Sequence, residues 1–343
     1  MDGSSTVSNS SVTGGPSCNS SEEYKFTVYA VVYSLVFIFG LLSNMAALYV
    51  FVCLSKKNRV STIFLINLAI SDLIFILSLP LRIAYNVSQA VSASEPGPLL
   101  GLACRVSTYL FYISMYCSIL FLTGLSVCRY LVLAGHIHLQ NRRVCWWVRL
   151  VCLAVWVLVV GGNITQIAVI SGFKIKVQGC FEPRASDSWG VLYQINIYTL
   201  VLAFVVPLLT VLTCYALMIR HILGMQRGHR RRDAALICLV LTVFCVCFLP
   251  YHVQRTLHLY YVIRPGATCQ FLSTLQKSVV VTLCFAAANS CLDPLIFVFV
   301  GHGFIPALRT MVRSCKSGPS CSNPPRPSTP LVTNHLLVNT TEV

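Results

Sequence analysis

Two arginines stand where a charged side chain needs a reason. Arg82 and Arg255 each lie inside a long apolar run and close to a proline, Pro80 and Pro250. His252, His258 and Lys277 stand near them. On a helix Tyr251, Arg255 and His258 fall at i, i+4 and i+7 and share one face; Tyr112 and Tyr116 share a face at i, i+4. A guanidinium pairs with carboxylate or phosphate through charge-assisted, often bidentate bonds. A cup lined by Arg82 and Arg255 beside phenols is therefore suited to an anion. The run holding Tyr112 and Tyr116 has no acidic residue in its first half, which argues against an amine ligand. His258 and Lys277 have a second reading, because long basic side chains near the end of a run reach back to water.

A second set is acidic. Asp72 and Asp293 fall mid-run, as do Asn44, Ser118, Asn289 and Ser290. Two carboxyls side by side in an apolar medium need one proton or one cation between them. A sodium ion held by Asp72, Ser118, Asn289 and Asp293 is one expectation. No His-Glu metal motif and no Gly-rich phosphate loop occurs, and the Asp pair lacks a protease-like setting. No enzymatic activity and no required cofactor is expected.

Positioning these groups takes elements that cross a membrane. The 343-residue chain is 56% hydrophobic and only 10% charged. Soluble domains carry about 25% charged residues. A chain this apolar is suited to lipid, not to water. Crossing the hydrocarbon core takes about 20 apolar residues per helix. Seven such runs occur, at 27–54, 60–88, 101–134, 144–170, 191–223, 232–262 and 271–300. All are expected to be helices, since a lipid-exposed backbone must satisfy its own hydrogen bonds. The fold class is thus an all-α bundle of seven transmembrane helices.

The charge of +15 does not indicate nucleic acid. Most Lys and Arg residues sit in the connections of one side, among them Lys56, Lys57, Arg59, Arg142, Arg143, Arg230, Arg231 and Arg232. That asymmetry puts those connections in the cytosol and the N-terminus outside. Four regions follow: an extracellular segment 1–26, the bundle 27–300, a short amphipathic eighth helix at 301–314 and a disordered tail at 315–343. The eighth helix is read from Phe304, Leu308 and Met311, which make one apolar face at the inner interface. Cys315 and Cys321 beside it are candidates for palmitoylation or for two reduced thiols. Asn9 and Asn19 open glycosylation triplets on the outer segment. Asn86 is a less secure triplet, and Asn163 and Asn339 are chance matches. Most of the 17 cysteines fall in apolar runs and behave as small hydrophobes.

In chain order these residues resemble the motifs of the rhodopsin-like receptors. Gly40-Leu-Leu-Ser-Asn44 resembles the first-helix motif and Asn67-Leu-Ala-Ile-Ser-Asp72 the second. Cys128-Arg129-Tyr130 stands for the acid-Arg-Tyr motif and Trp156 for the fourth-helix tryptophan. Pro207 with Tyr215 resembles the fifth-helix pair, Phe244, Cys247 and Pro250 the sixth helix, and Asp293-Pro294-Leu-Ile-Phe297 the seventh. The resemblance implies a plasma-membrane receptor that activates a heterotrimeric G protein and meets arrestin. Arg129 is its inner switch, with Tyr215, Pro250, Asp293 and Pro294 moving around it. It also implies a Cys104–Cys180 disulfide, with room for a second bridge between Cys18 and Cys269. Three departures stand out: Cys128 replaces the acid, Phe248 a common tryptophan, and Phe297 a tyrosine. Altered basal activity is expected from them.

A closer resemblance attaches to the ligand end. Tyr251-His-Val-Gln-Arg-Thr-Leu-His258, Gln276-Lys-Ser-Val-Val-Val-Thr-Leu, Cys180-Phe-Glu-Pro183 and Ser107-Thr-Tyr, with Tyr112 and Met115-Tyr116, look like the cysteinyl leukotriene receptors. The ligand this implies is an anionic, peptide-conjugated eicosanoid, and coupling raises calcium through a Gq-type protein. Its implied contacts are Arg82, Tyr112, Tyr116, Tyr251, Arg255 and Gln276. Lysophosphatidic acid or a nucleotide would use the same cations. A transporter or channel would show repeats or a continuous polar path, and neither is apparent.

Overall fold

The computed structural model describes residues 23–54, 60–91, 97–137, 141–172, 177–178, 182–183, 186–223, 227–264 and 266–300. Among them are seven helices long and apolar enough to cross a membrane: α1 (Tyr24–Val52), α2 (Val60–Val91), α3 (Pro98–Leu133), α4 (Arg142–Ile170), α5 (Trp189–His221), α6 (Ala234–Val262) and α7 (Cys269–Pro294). Each falls on one expected run. Outward residues such as Leu158 (70% exposed) and Leu42 (68%) would be intolerable in water at this density. They make the bundle a multi-pass membrane protein. One short antiparallel hairpin, Val177–Gln178 with Glu182–Pro183, lies between α4 and α5.

Polar side chains inside the helices mostly bond within their own turn. Ser34, Thr123 and Thr210 donate to carbonyls four residues back at 2.7, 2.7 and 2.9 Å. That hides a hydroxyl from lipid without a partner helix. Helix ends follow local rules. α3 opens with proline in its first turn after Gly97. It closes through Gly135, at φ +75°, where a left-handed residue ends the ladder.

α5 and α6 are not uniform. Single π-helical turns occur at Val201–Val205 and Val243–Phe248, just before Pro207 and Pro250. A proline has no N–H to continue the ladder, and a wide turn ahead of it absorbs the mismatch. Pro80 and Pro294 lie inside helices without such a turn. The third connection on the basic side is shorter than its apolar boundaries at 223 and 232 suggest, because helix resumes at Arg227. Charge on the Arg230–Arg232 run does not break a helix, since arginine has high helix propensity.

Lipid gives helices no hydrophobic reason to associate, so close packing and side-chain hydrogen bonds hold them. A Cβ at Gly124 of α3 would come within 2.7 Å of the Phe64 ring of α2, and one at Gly40 of α1 within 2.9 Å of Ile76. Glycine is what lets those helices meet. Hydrogen bonds join further helix pairs: Trp156 Nε1 to Asn67 Oδ1 (3.0 Å), Gln166 to Thr199 (3.1 Å), Asn196 to Thr256 (2.8 Å) and Ser278 to Gln254 (3.1 Å). Between them lies an aromatic core with Phe75, Phe121, Phe204, Phe244 and Phe248, each at most 2% exposed.

Candidate functional site

Toward the end of the bundle where α1 begins, two arginines lie among the helices. Arg82 on α2 is 6% exposed. Its Nη1 donates to Thr108 Oγ1 on α3 at 2.9 Å, and its guanidinium carbon lies 5.0 Å from the Tyr33 ring of α1. Three helices therefore hold one guanidinium, and none of these partners neutralises its charge. Arg255 on α6 is half-buried and lies within electrostatic reach of Tyr112, Tyr251, Tyr29 and Tyr116. Tyr29 is also in reach of Arg82. The two arginines thus share a phenol neighbour and one side of the bundle.

The tyrosines that sequence placed on matching faces do meet. Tyr251 OH donates to Tyr112 OH at 3.1 Å across α6 and α3. Tyr112 and Tyr116 stack at 6.4 Å. Gln276 lies half-buried near the start of α7, while Lys277 is exposed with Nζ 5.7 Å from the Tyr24 ring. Lys277 therefore does reach outward. His258 does not. It is 8% exposed and packs edge-on against Trp189 at 6.2 Å, because the start of α5 covers it.

Several contributors give no clear signal in the sequence. Tyr33 and Thr108 hold Arg82, yet a phenol or hydroxyl in an apolar helix has many ordinary roles. Tyr29 and Tyr33, four residues apart and stacked at 5.4 Å, are a pair that helical spacing could have found. His252, placed only loosely by its sequence, is 4% exposed and lies parallel to Phe204 with centroids 4.2 Å apart. Its Nδ1 is 2.9 Å from the Phe248 carbonyl, which can only accept, so Nδ1 carries the proton.

Mid-bundle, Asp72, Ser118, Asn289 and Asp293 converge. Asn289 Nδ2 donates to Asp293 Oδ2 at 2.9 Å, and Ser114 Oγ to Asp72 Oδ1 at 3.3 Å. The two carboxyl groups lie within side-chain hydrogen-bonding reach of each other. Asp72 Oδ2, Ser118 Oγ, Asn289 Oδ1 and Asp293 Oδ1 are each buried and make no hydrogen bond of 3.5 Å or less, although the two carboxyls and Ser118 lie close together. Native interiors rarely leave four such oxygens together. An all-oxygen donor set with two carboxyls suits a small hard cation. No cluster of three or more His, Cys, Asp or Glu able to hold a metal occurs among the described residues. Asn44 beside them bonds instead to the Ser290 carbonyl of α7 at 2.7 Å.

At the opposite end, Tyr215 OH and Ser126 Oγ are 2.7 Å apart, joining α5 to α3, and Arg129 lies within electrostatic reach of Tyr215. Cys128 is a half-buried free thiol near Cys152 of α4. Cys104 and Cys269 are disulfide-bonded; Cys180 and Cys18, their expected partners, lie outside the described residues. So do Asn9, Asn19, the side chain of Phe297, residues 301–314 and the tail. Asn86 is 3% exposed and bonds to the Arg82 carbonyl at 2.8 Å, which leaves no room for a glycan. Asn163 is likewise buried.

The chain is 35% identical over 325 residues to cysteinyl leukotriene receptor 2 of Sus scrofa, covering 91% of this chain and 89% of that one. It is 32% identical over 296 residues to lysophosphatidic acid receptor 6 of Mus musculus, covering 84% of each. To a purinoceptor of Rattus norvegicus it is 33% identical over 318 residues, covering 89% of this chain and 82% of that one. The family model described as 7 transmembrane receptor (rhodopsin family) matches residues 43–297. With seven membrane-spanning helices and receptor relatives along most of its length, the chain belongs to the rhodopsin family of seven-transmembrane receptors and is not an enzyme.

Proposed function

We propose that the chain is a plasma-membrane receptor, N-terminus outside, for an anionic lipid mediator of the cysteinyl leukotriene class. The observation that carries this is Arg82: a buried guanidinium held by Thr108 and Tyr33, with no carboxylate against it among the described residues. An anion entering from the N-terminal end would meet it together with Arg255, Tyr112, Tyr116, Tyr251 and Gln276. The apolar walls below would take an acyl chain. The basic connections of the other side support this orientation, as do the disulfide-bonded Cys104 and Cys269 at the N-terminal end.

Binding would shift α6 at its wide turn before Pro250 and pass the change to Tyr215 and Arg129 at the inner face. There a Gq-type G protein, and later arrestin, would dock. A sodium ion among Asp72, Ser118, Asn289 and Asp293 would supply the missing partner for their four unpaired oxygens and favour the resting arrangement.

A second reading has support in the relatives: a lysophosphatidic acid receptor and a purinoceptor match at similar identity. Phosphate would use the same arginines. A calcium assay with cysteinyl leukotrienes, lysophosphatidic acid and nucleotides separates the readings. Responses to leukotrienes at the lowest concentrations are expected. A response confined to lysophosphatidic acid or nucleotides would replace the ligand, and silence to all three would remove the proposal.

A further inference from the structure

Arg105 stands on α3 four residues before Tyr109, seven before Tyr112 and eleven before Tyr116, so these side chains leave the helix along one stripe. The Tyr112 hydroxyl on that stripe meets Tyr251 of α6 at 3.1 Å, and Arg255 lies within electrostatic reach of Tyr112 and Tyr116, so the stripe runs up to the arginine site. Tyr109 lies within electrostatic reach of both Arg105 and Tyr112 and bridges the gap between them. Arg105 is half-buried, and its Nε is enclosed without a hydrogen-bond partner. An enclosed N–H of a permanent cation calls for an acceptor. At 1.5 Å per residue, Arg105 sits about 10 Å nearer the N-terminal end than Tyr112.

We propose that Arg105 forms a second anion subsite at the mouth of the cup, so that the receptor selects ligands with two anionic groups at separate places. One group would go to Arg82 and Arg255, the other to Arg105. This rests on the anionic-lipid reading and sharpens it. A peptide-conjugated fatty acid carries carboxylates at both ends. A lysophospholipid or a nucleotide carries its charge at one end.

The test uses full-length receptor in cells, with surface expression measured for every variant. Calcium potency is read for a cysteinyl leukotriene with both ends free and for two derivatives, each amidated at one end. Arg105→Gln should lose about 10- to 100-fold for the diacid, the range of one charged hydrogen bond. It should lose little for the derivative capped at the end that Arg105 holds. Arg105→Lys should keep most of that preference. Equal losses for all three compounds, or no loss, would overturn the subsite. A wild-type receptor that answers only lysophosphatidic acid or nucleotides would also overturn the subsite while leaving the cationic pocket standing. Wild-type silence to all three ligand classes would end both.

Discussion

Two buried polar regions share this bundle, and they are satisfied in opposite ways. In the cup at the N-terminal end, Arg82 is held by a threonine hydroxyl and a phenol ring, and Tyr251 meets Tyr112. Around Arg82 the contacts are made, and no carboxylate meets its charge among the described residues. Mid-bundle, Asp72 and Asp293 face each other, and four oxygens of Asp72, Ser118, Asn289 and Asp293 have no partner. Both charge and geometry are incomplete there. A low-dielectric interior makes either deficit costly. The first is suited to a ligand that comes and goes, whose contacts must be prearranged. The second is suited to an ion small enough to be surrounded.

The strongest way to break this contrast is to remove the cation. Arg82→Ala should lower agonist potency by about 2–5 kcal/mol, the cost of truncating one partner of a buried charged contact, with surface expression retained. Concentration–response curves read it. Unchanged potency would mean that Arg82 is structural.

Next is the core. Purified receptor should melt higher in sodium than in potassium, and Asp72→Asn should abolish the difference. At sodium 100-fold above its dissociation constant the stabilisation would be about 2.7 kcal/mol, read by a thermal-shift assay. Equal melting in both salts would leave the four oxygens without their cation.

A smaller effect tests whether the cup's neutral contacts act as a unit. Tyr251→Phe and Tyr112→Phe should each cost about 0.5–1.5 kcal/mol of potency. The double variant should cost no more than either one, because one shared bond is lost. Additive losses would show the two hydroxyls acting separately.

Packing offers the control. Gly124→Ala should cost about 1–3 kcal/mol of stability through overpacking against Phe64, whereas Gly161→Ala, which meets nothing within 4 Å, should be nearly neutral. Cys128→Asp, which restores an acid beside Arg129, should shift ligand-free signalling. Unaltered basal signalling would remove the significance given to that thiol.

The bundle was legible because lipid imposes one strong rule, and runs of apolar residues obey it visibly. The wide turns before Pro207 and Pro250 were not legible, since one extra residue in a helix leaves no mark on hydropathy. The arginines were legible because a guanidinium has few places to go in lipid. Their holders were not: Thr108 and Tyr33 are ordinary residues whose role depends on which helix faces them. His258 was open to two readings for the same reason. Near the end of a run it was free to reach water, until Trp189 of α5 covered it. Arg105 stands beside Cys104 near the start of α3, where basic residues ordinarily anchor a helix end, and its enclosed Nε distinguishes it.

Competition binding with a labelled cysteinyl leukotriene, on purified wild type, Arg82→Ala and Arg255→Ala in lipid nanodiscs, puts the cationic cup most directly at risk. Saturable binding to the wild type with marked loss in each variant is the expected result. Equal affinity in all three proteins would contradict it.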